Sequence, residues 1–436
     1  MSETNQKSTT WNKFTLKDVM DEKKGFKRGP FGGALKKEIF VENGYAVYEQ
    51  QHVINNNFKN IRYFINEEKY KELASFNIKK DDILVSCSGT VGRIALVPVS
   101  VQEGVINQAL LRLRPNPKIL SSKYAWFLLN SDFMQSKMVE MSHGSTLKNI
   151  VAVKELKNIE ILIPSLFEQD KISAILSSVD EAIEKTEVII EQTEEVKKGL
   201  MQNLFTKGIE HTEFKKTEIG EIPAEWEMRK LEEVTLPKDG VRRGPFGGAL
   251  KKEIFVGEGY AVYEQQHVIY NDMGEFRYFI DEKKFLEMKA FEVFPGDILI
   301  SCSGTVGKVA LVPENAKKGV INQALLRLRL DNKLLLNLYA WYLLNSEFMQ
   351  SKMTDMSHGS TLKNIVGMKE LRDIVIPVPP LDEQMEIVSI LTSVFQKYQI
   401  EQQRLLHLQN IKKGLMQSLL TGKVRVKFDE AEVTQV

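Results

Sequence analysis

Arg28, Lys36 and Lys37 stand in a glycine-bearing stretch, KRGPFGGALKK, and Arg243, Lys251 and Lys252 stand in a second copy of it. Cations on a turn-rich backbone suit phosphate oxygens, and glycines there let the main chain come close. The stretch EQQH supplies Gln50, Gln51 and His52, repeated as Gln265, Gln266 and His267. Side chains of this kind hydrogen-bond base edges. Ser88 and Thr90, with Ser303 and Thr305, offer hydroxyls to phosphate, and HGSTLKN adds Ser145, Thr146 and Lys148, then Ser360, Thr361 and Lys363. As a set these residues point to nucleic-acid contact. For any one of them the alternative is a solvated loop. Phe31 and Phe246, in the same glycine-bearing stretches, are expected in the core rather than against bases.

Other chemistries fit less well. SGTVGK at 303–308 has two residues between its glycines, where a phosphate loop needs four, and Val309 follows the lysine where Ser or Thr is required. A tight turn between strands is the better reading. There is no GxGxxG, and Val378-Pro379-Pro380 leads into a helix rather than forming a methyltransferase loop. The histidine pairs His52/His267 and His143/His358 lack metal-ligand spacing. Cys87 and Cys302 follow apolar runs and read as small core residues. No catalytic group, metal or cofactor is expected.

These groups recur because the chain is duplicated. Every motif returns 215 residues later: RGPFGGALKKEIF at 28–40 and 243–255, YAVYEQQHVI at 45–54 and 260–269, DILVSCSGTVG at 82–92 against DILISCSGTVG at 297–307, and GVINQALLRLR at 104–114 and 319–329. That period is far too long for a solenoid, so it marks two similar domains. The copies differ most in INNNFKNI against IYNDMGEF (54–61, 269–276) and PNPKILSSK against LDNKLLLNL (115–123, 330–338). Within a copy, DILVSCSG, TVGRIALVP, VINQALLRLR and IEILIP read as strands, and KYAWFLLNSDFMQSKM reads as one helix.

A long helix follows each domain. Ile172, Leu176, Val179, Ile183, Thr186, Ile190, Thr193, Leu200 and Leu204 recur at alternating spacings of four and three, with Lys197 at the one plainly polar position. Ser165 and Glu168 fit a capping box at its start. Ile387, Leu391, Val394, Tyr398, Glu401, Leu405, Leu408, Lys412, Leu415 and Leu419 repeat the register. Such a seam needs a partner, and the two helices are expected to pack on each other. The seam from Ile172 to Leu204 is ~48 Å long at ~1.5 Å per residue. Antiparallel packing needs only a short linker and relates the like domains by a pseudo-twofold axis, a symmetry duplex DNA shares, whereas parallel packing would send the linker back along the whole rod, within its ~65 Å reach but less economically. The expected fold is α+β. Two similar mixed α/β domains lie at 1–164 and 225–379. Long helices at 165–205 and 380–421 form an antiparallel coiled coil, with a polar linker at 206–224 and a tail at 422–436.

Composition sets the outer bounds. A length of 436 residues exceeds a single core, and 43% hydrophobic with 27% charged residues is ordinary for a globular protein. The net charge of +1 excludes nothing. No apolar run approaches the ~20 residues of a membrane span, and the N-terminal residues lack the apolar stretch of a signal peptide. A cytoplasmic chain with reduced cysteines and no membrane partner is the expectation.

GEIPAEW (220–226) opens a domain, the SGTVG turn follows, IPSLFEQ and VPPLDEQ lead into the helices, and KKGLMQNLFTKG and KKGLMQSLLTGKVRV close them. In that order, over nearly the whole chain, the sequence resembles the specificity subunit of type I restriction-modification systems. The resemblance implies two target-recognition domains, each reading one half of a bipartite site in double-stranded DNA, with the paired helices as a ruler between them. It also implies docking of two methyltransferase subunits and of nuclease/translocase subunits, which carry the catalysis. One feature departs from the family. Its two recognition domains are generally dissimilar, whereas here they are nearly alike, which predicts one short sequence read twice in opposite orientation, an interrupted palindrome. A tandem DNA-binding regulator or a coiled-coil protein scaffold would account for the residues without that resemblance.

Overall fold

The structure is a computed structural model and describes residues 11–140, 152–246, 248–355 and 367–426. It forms two compact units: one takes the chain up to Glu187 together with that from Arg404 onward, the other Val188–Gln403. In the first, the strands are β1 (Asn12–Thr15), β2 (Phe26–Arg28), β3 (Phe40–Val41), β4 (Tyr45–Tyr48), β5 (Phe64–Ile65), β6 (Ile83–Ser86), β7 (Ile94–Leu96), β8 (Gly104–Ile106), β9 (Leu110–Leu113) and β10 (Glu160–Ile163). The helices are α1 (Gln50–Ile54), α2 (Glu67–Glu72), α3 (Ser122–Asn130), α4 (Asp132–Glu140) and α5 (Val153–Lys157). One antiparallel sheet has the order β2-β9-β6-β7, a second β3-β5-β4-β8 with β4 and β8 parallel, and β1 pairs with β10.

The β6–β9 sheet is buried on both faces, which is why its strands read as continuous apolar runs. Ile83, Val85, Leu111 and Leu113 pack against Tyr124, Phe127 and Leu128 of α3 and against Ile172 and Leu176 of the first long helix. Leu84, Ala95 and Leu110 face the other way, onto Ala46, Tyr48 and Ile106. Arg112 of β9 is fully buried beneath this face. Its guanidinium donates to the carbonyls of Ser75, Asn77 and Lys24, and burial pulls its pKa down to about 10. Neighbouring Arg114 makes a bidentate pair with Asp82 at 2.6 and 2.7 Å. The second unit repeats this plan, with sheets built on Ile298–Ser301 and Leu325–Leu328, and on Tyr260–Tyr263 and Gly319–Ile321.

The long helices span Leu166–Leu204 and Leu381–Leu419. No seam position is exposed. In the first unit Asp180 pairs with Lys412 at 2.5 Å and Glu168 with Arg425 at 2.7 Å, so one index falls as the other rises and the segments run antiparallel. In the second unit Tyr398 donates to Glu194 at 3.1 Å, and Glu383 takes hydrogen bonds from Ile209 and His211 at 2.9 Å, again antiparallel. The buried seam hydroxyls of Thr186 and Thr193 each donate to a carbonyl one turn back at 2.7 Å, so neither is left unsatisfied. The Lys197 ammonium lies 4.9 Å from the centre of the Phe395 ring and 4.8 Å from that of Tyr398, which lets a cation occupy a seam position.

Three local expectations are corrected. KYAWFLLNSDFMQSKM is two helices, because the Ser131 hydroxyl donates to Leu128 O at 2.6 Å and accepts from Met134 N at 3.3 Å, ending one helix and starting the next. In the capping box, Ser165 accepts from Glu168 N at 3.4 Å, but the Glu168 carboxylate turns to Arg425. The stretch expected as a linker, 206–224, carries an antiparallel hairpin, Phe214–Thr217 with Gly220–Pro223. Only Ile222 and Pro223 of its strand residues are buried, so its composition reads as polar. Ile222 and Trp226 enter the second unit's core.

Candidate nucleic-acid interface

Four loops meet at one end of the paired sheets. Gly29 N donates to Leu110 O at 2.9 Å, and a Cβ on Gly29 would lie 1.8 Å from Asn107 O, so only glycine permits this approach. Arg28 Nε donates to Gln108 O at 3.0 Å. Asn107 N donates to Tyr48 O at 2.9 Å, which brings the turn at 107–109 to the start of α1, and Cys87 N donates to Ala109 O at 2.7 Å, which brings in the SGTVG turn. A Cβ on Gly89 would stand 3.3 Å from Gln50 Nε2. The second unit repeats the cluster: Gly244 against Asn322 O, Asn322 N on Tyr263 O, Cys302 N on Ala324 O, and Gln265 beside Gly304.

The SGTVG segment is a tight turn, as its spacing predicts. Ser86 Oγ donates to Thr90 O at 2.6 Å and accepts from Arg93 N at 2.9 Å. Gly89 and Gly92 take φ of +64° and +83°, a region that favours glycine. Thr90 and Thr305 are thereby exposed at the tip, and Ser88 and Ser303 are half-buried beside them. Lys36, Lys37, Lys251, Lys252 and Gln51 are exposed, while Arg28, Arg243, Gln50, Gln265 and Gln266 are half-buried. The carbonyl oxygens of Gln50 and Gln265 are buried and accept no hydrogen bond. Ser145, Thr146, Lys148, Ser360, Thr361 and Lys363, like His143 and His358, lie outside the described residues.

Two expectations fail for physical reasons. His52 and His267 are only 1% and 2% exposed and do not reach the surface. His52 Nδ1 accepts from Glu49 N at 2.8 Å, so Nε2 carries the proton and donates to Asn60 O at 3.0 Å. His267 does the same between Glu264 N and Glu275 O. Each histidine caps a one-turn helix and ties down the loop that follows. Phe31 and Phe246 are not core residues: both are 73% exposed. Pro30 and Pro245 take the buried positions beside them, and Leu35 and Leu250 pack behind, so the phenyl rings are turned outward. Gln108 and Gln323, exposed on the turn at 107–109 and its counterpart, also lie on this surface, though neither stands among the residues expected there. The signal was present, since Asn-Gln interrupts an otherwise apolar strand pattern.

Burial pushes the thiols of Cys87 and Cys302 up to about 11, so neither is a nucleophile at neutral pH. Among the described residues no cluster of His, Cys, Asp and Glu is arranged to hold a metal ion, and no helix is long and apolar enough to cross a membrane.

The family described as the type I restriction modification DNA specificity domain matches residues 8–195 and again 223–410. Relatives include two proteins of Methanocaldococcus jannaschii named as specificity subunits of type I restriction enzymes. The one of MjaX is 30% identical over 369 residues, covering 84% of this chain and 83% of its own, and that of MjaVIII is 29% identical over 362 residues, 80% of each. Among solved structures, a chain from work on assembly and conformational transition of the type I R-M system superposes with a TM-score of 0.58 over 96% of this chain and 99% of that one, at 18% identity. The crystal structure of a type I restriction-modification S subunit from M. genitalium gives 0.55 over 96% and 98%, also at 18% identity. The fold is thus shared, and with two copies of the matching domain the chain belongs to the type I DNA specificity family. It is the DNA specificity subunit of a type I restriction-modification system, non-catalytic by its family, and works as part of that assembly.

Replacing His52 by Ala should lower the thermal midpoint, because it uncaps α1 and frees the loop at 55–61. The slope of log affinity for DNA against log salt should not change. A shallower slope with unchanged melting would return His52 to the DNA face.

Proposed function

We propose that each unit presents its four-loop surface to one half of a bipartite duplex site, and that both halves carry the same short sequence in inverted orientation. One observation supports this most. Every residue of the loops and their flanking strands at 28–41, 45–54, 86–92 and 104–114 is identical at 243–256, 260–269, 301–307 and 319–329. Two equivalent helices packed antiparallel present equivalent faces in opposite directions, as a dyad-symmetric site requires. In this reading Lys36, Lys37, Lys251 and Lys252, with Ser88, Thr90, Ser303 and Thr305, contact phosphate. Gln50, Gln51, Gln265 and Gln266, with Arg28 and Arg243, read base edges. Ser145, Thr146 and Lys148, with Ser360, Thr361 and Lys363, add further hydroxyl and ammonium contacts. The segment after α1 is where the halves can differ: Asn55 and Lys59 stand where the second copy has Tyr270 and Gly274. The long helices set the spacer. Two methyltransferase subunits, and nuclease/translocase subunits for cleavage, dock on this frame in the cytoplasm and supply the chemistry.

Replacing Lys36, Lys37, Lys251 and Lys252 by Ala in the methyltransferase-bound subunit should weaken binding and make its salt dependence shallower, by roughly one in slope for each phosphate no longer neutralised. An unchanged slope would remove these loops from the DNA. Inserting one heptad into each long helix, about 10 Å at ~1.5 Å per residue, should lengthen the spacer in the mapped methylation motif by roughly three base pairs at ~3.4 Å each. A motif with its original spacer would end the ruler.

A further inference from the structure

We propose that Phe31 and Phe246 enter the base stack as apolar wedges, one ring in each half-site; this rests on the four-loop surface being the DNA face. Both rings are 73% exposed, while most of the described phenylalanines are at least partly buried. They do not sit on slack loop tips. On one side Gly29 is pinned against Asn107 O and Pro30 is buried. On the other, Leu35 and Ile39 pack into the apolar cluster around Val47 and Ile65. The second copy anchors its loop through Gly244, Pro245, Leu250 and Ile254. A wedge needs this stiffness, since unstacking a base step works against the fold that holds the ring.

The surroundings favour DNA over a protein partner. The Arg28 guanidinium lies 5.7 Å from the centre of the Phe31 ring, and Arg243 stands at the same distance from Phe246. Exposed Lys36 and Lys37, or Lys251 and Lys252, follow on the same loop. A phenyl ring beside an arginine that reads base edges, on a loop whose lysines bind phosphate, meets the bases between the two backbones. It carries no hydrogen-bonding group, so what it senses is how easily a step opens, which is lowest in cost at pyrimidine–purine steps. The ring would therefore select sequence at a step that no side chain reads by hydrogen bonds.

The test uses the full-length subunit with its methyltransferase partners on a duplex carrying its methylation motif. 2-Aminopurine replaces, in turn, each purine of the half-sites other than the methylated adenine. The wild type should brighten the probe at one step in each half-site. Phe31→Ala or Phe246→Ala should remove about half of that signal, the double variant all of it, and Phe31→Trp with Phe246→Trp should restore site binding. Each Ala variant should weaken binding about tenfold, in line with other base-stacking side chains. Thermal midpoints should not move, since the rings are exposed. Unchanged affinity and fluorescence in the double variant would overturn the wedge. So would lost affinity with no position brightening in the wild type, which would place the ring on DNA outside the stack. If the lysine variants still flatten the salt dependence while the Phe variants change nothing, the DNA face stands and the wedge alone falls. If neither set has an effect, the DNA face falls with it.

Discussion

A carboxylate near the start of each long helix, Glu168 fully buried and Glu383 half-buried, ties that helix to the segment leaving the other. Glu168 is 1% exposed and must be satisfied inside the protein, since an unpaired charge there costs several kcal/mol. Its partner is Arg425, just past the end of the second helix, in a two-pronged contact at 2.8 and 2.7 Å. Glu383, the equivalent residue, is met by Ile209 N, His211 Nε2 and Trp226 Nε1, in the segment that follows the first helix. Each helix start is therefore tied to the chain leaving the other helix, which only an antiparallel pair allows. The donors differ because the first helix leads on into a second domain, whereas the second leads into the tail.

In the proposed reading, that frame is what lets a duplicated sequence read both half-sites alike. Seam burial and the two carboxylate contacts orient the helices. The helices carry the recognition sheets through Ile172 and Leu176 in one unit and Ile387 and Leu391 in the other. On each sheet pair, close backbone approaches at Gly29 and Gly244 bring four loop segments into one surface. Identical loop residues on equivalent supports present the same chemistry. The copies have diverged beside this surface, in the segment after α1, where exposed Tyr270 replaces Asn55.

Much of this was legible in the residues. The heptad spacing located both helices and their partner, the period of the motifs located two domains, and the glycine spacing of SGTVG marked a turn rather than a phosphate loop. The misreadings share a cause: a residue type was taken for its usual environment. His52 looks like a polar loop residue, but a one-turn helix with glutamate before it uses the imidazole as its cap. Phe31 looks like core, but proline beside it occupies the buried position. The hairpin at 214–223 looks like a linker because most of its strand residues face solvent. In each case the deciding partner lies at a spacing that composition does not register.

The central claim is that like loops on an antiparallel frame read like half-sites. The most direct test is a methylome. The chain is expressed with its methyltransferase partner in a host free of other adenine methylation, and modified adenines are mapped on both strands. The account predicts one gapped motif whose halves are inverted repeats. A gapped motif with unlike halves would contradict it and assign base choice to the divergent segments at 55–61 and 270–276.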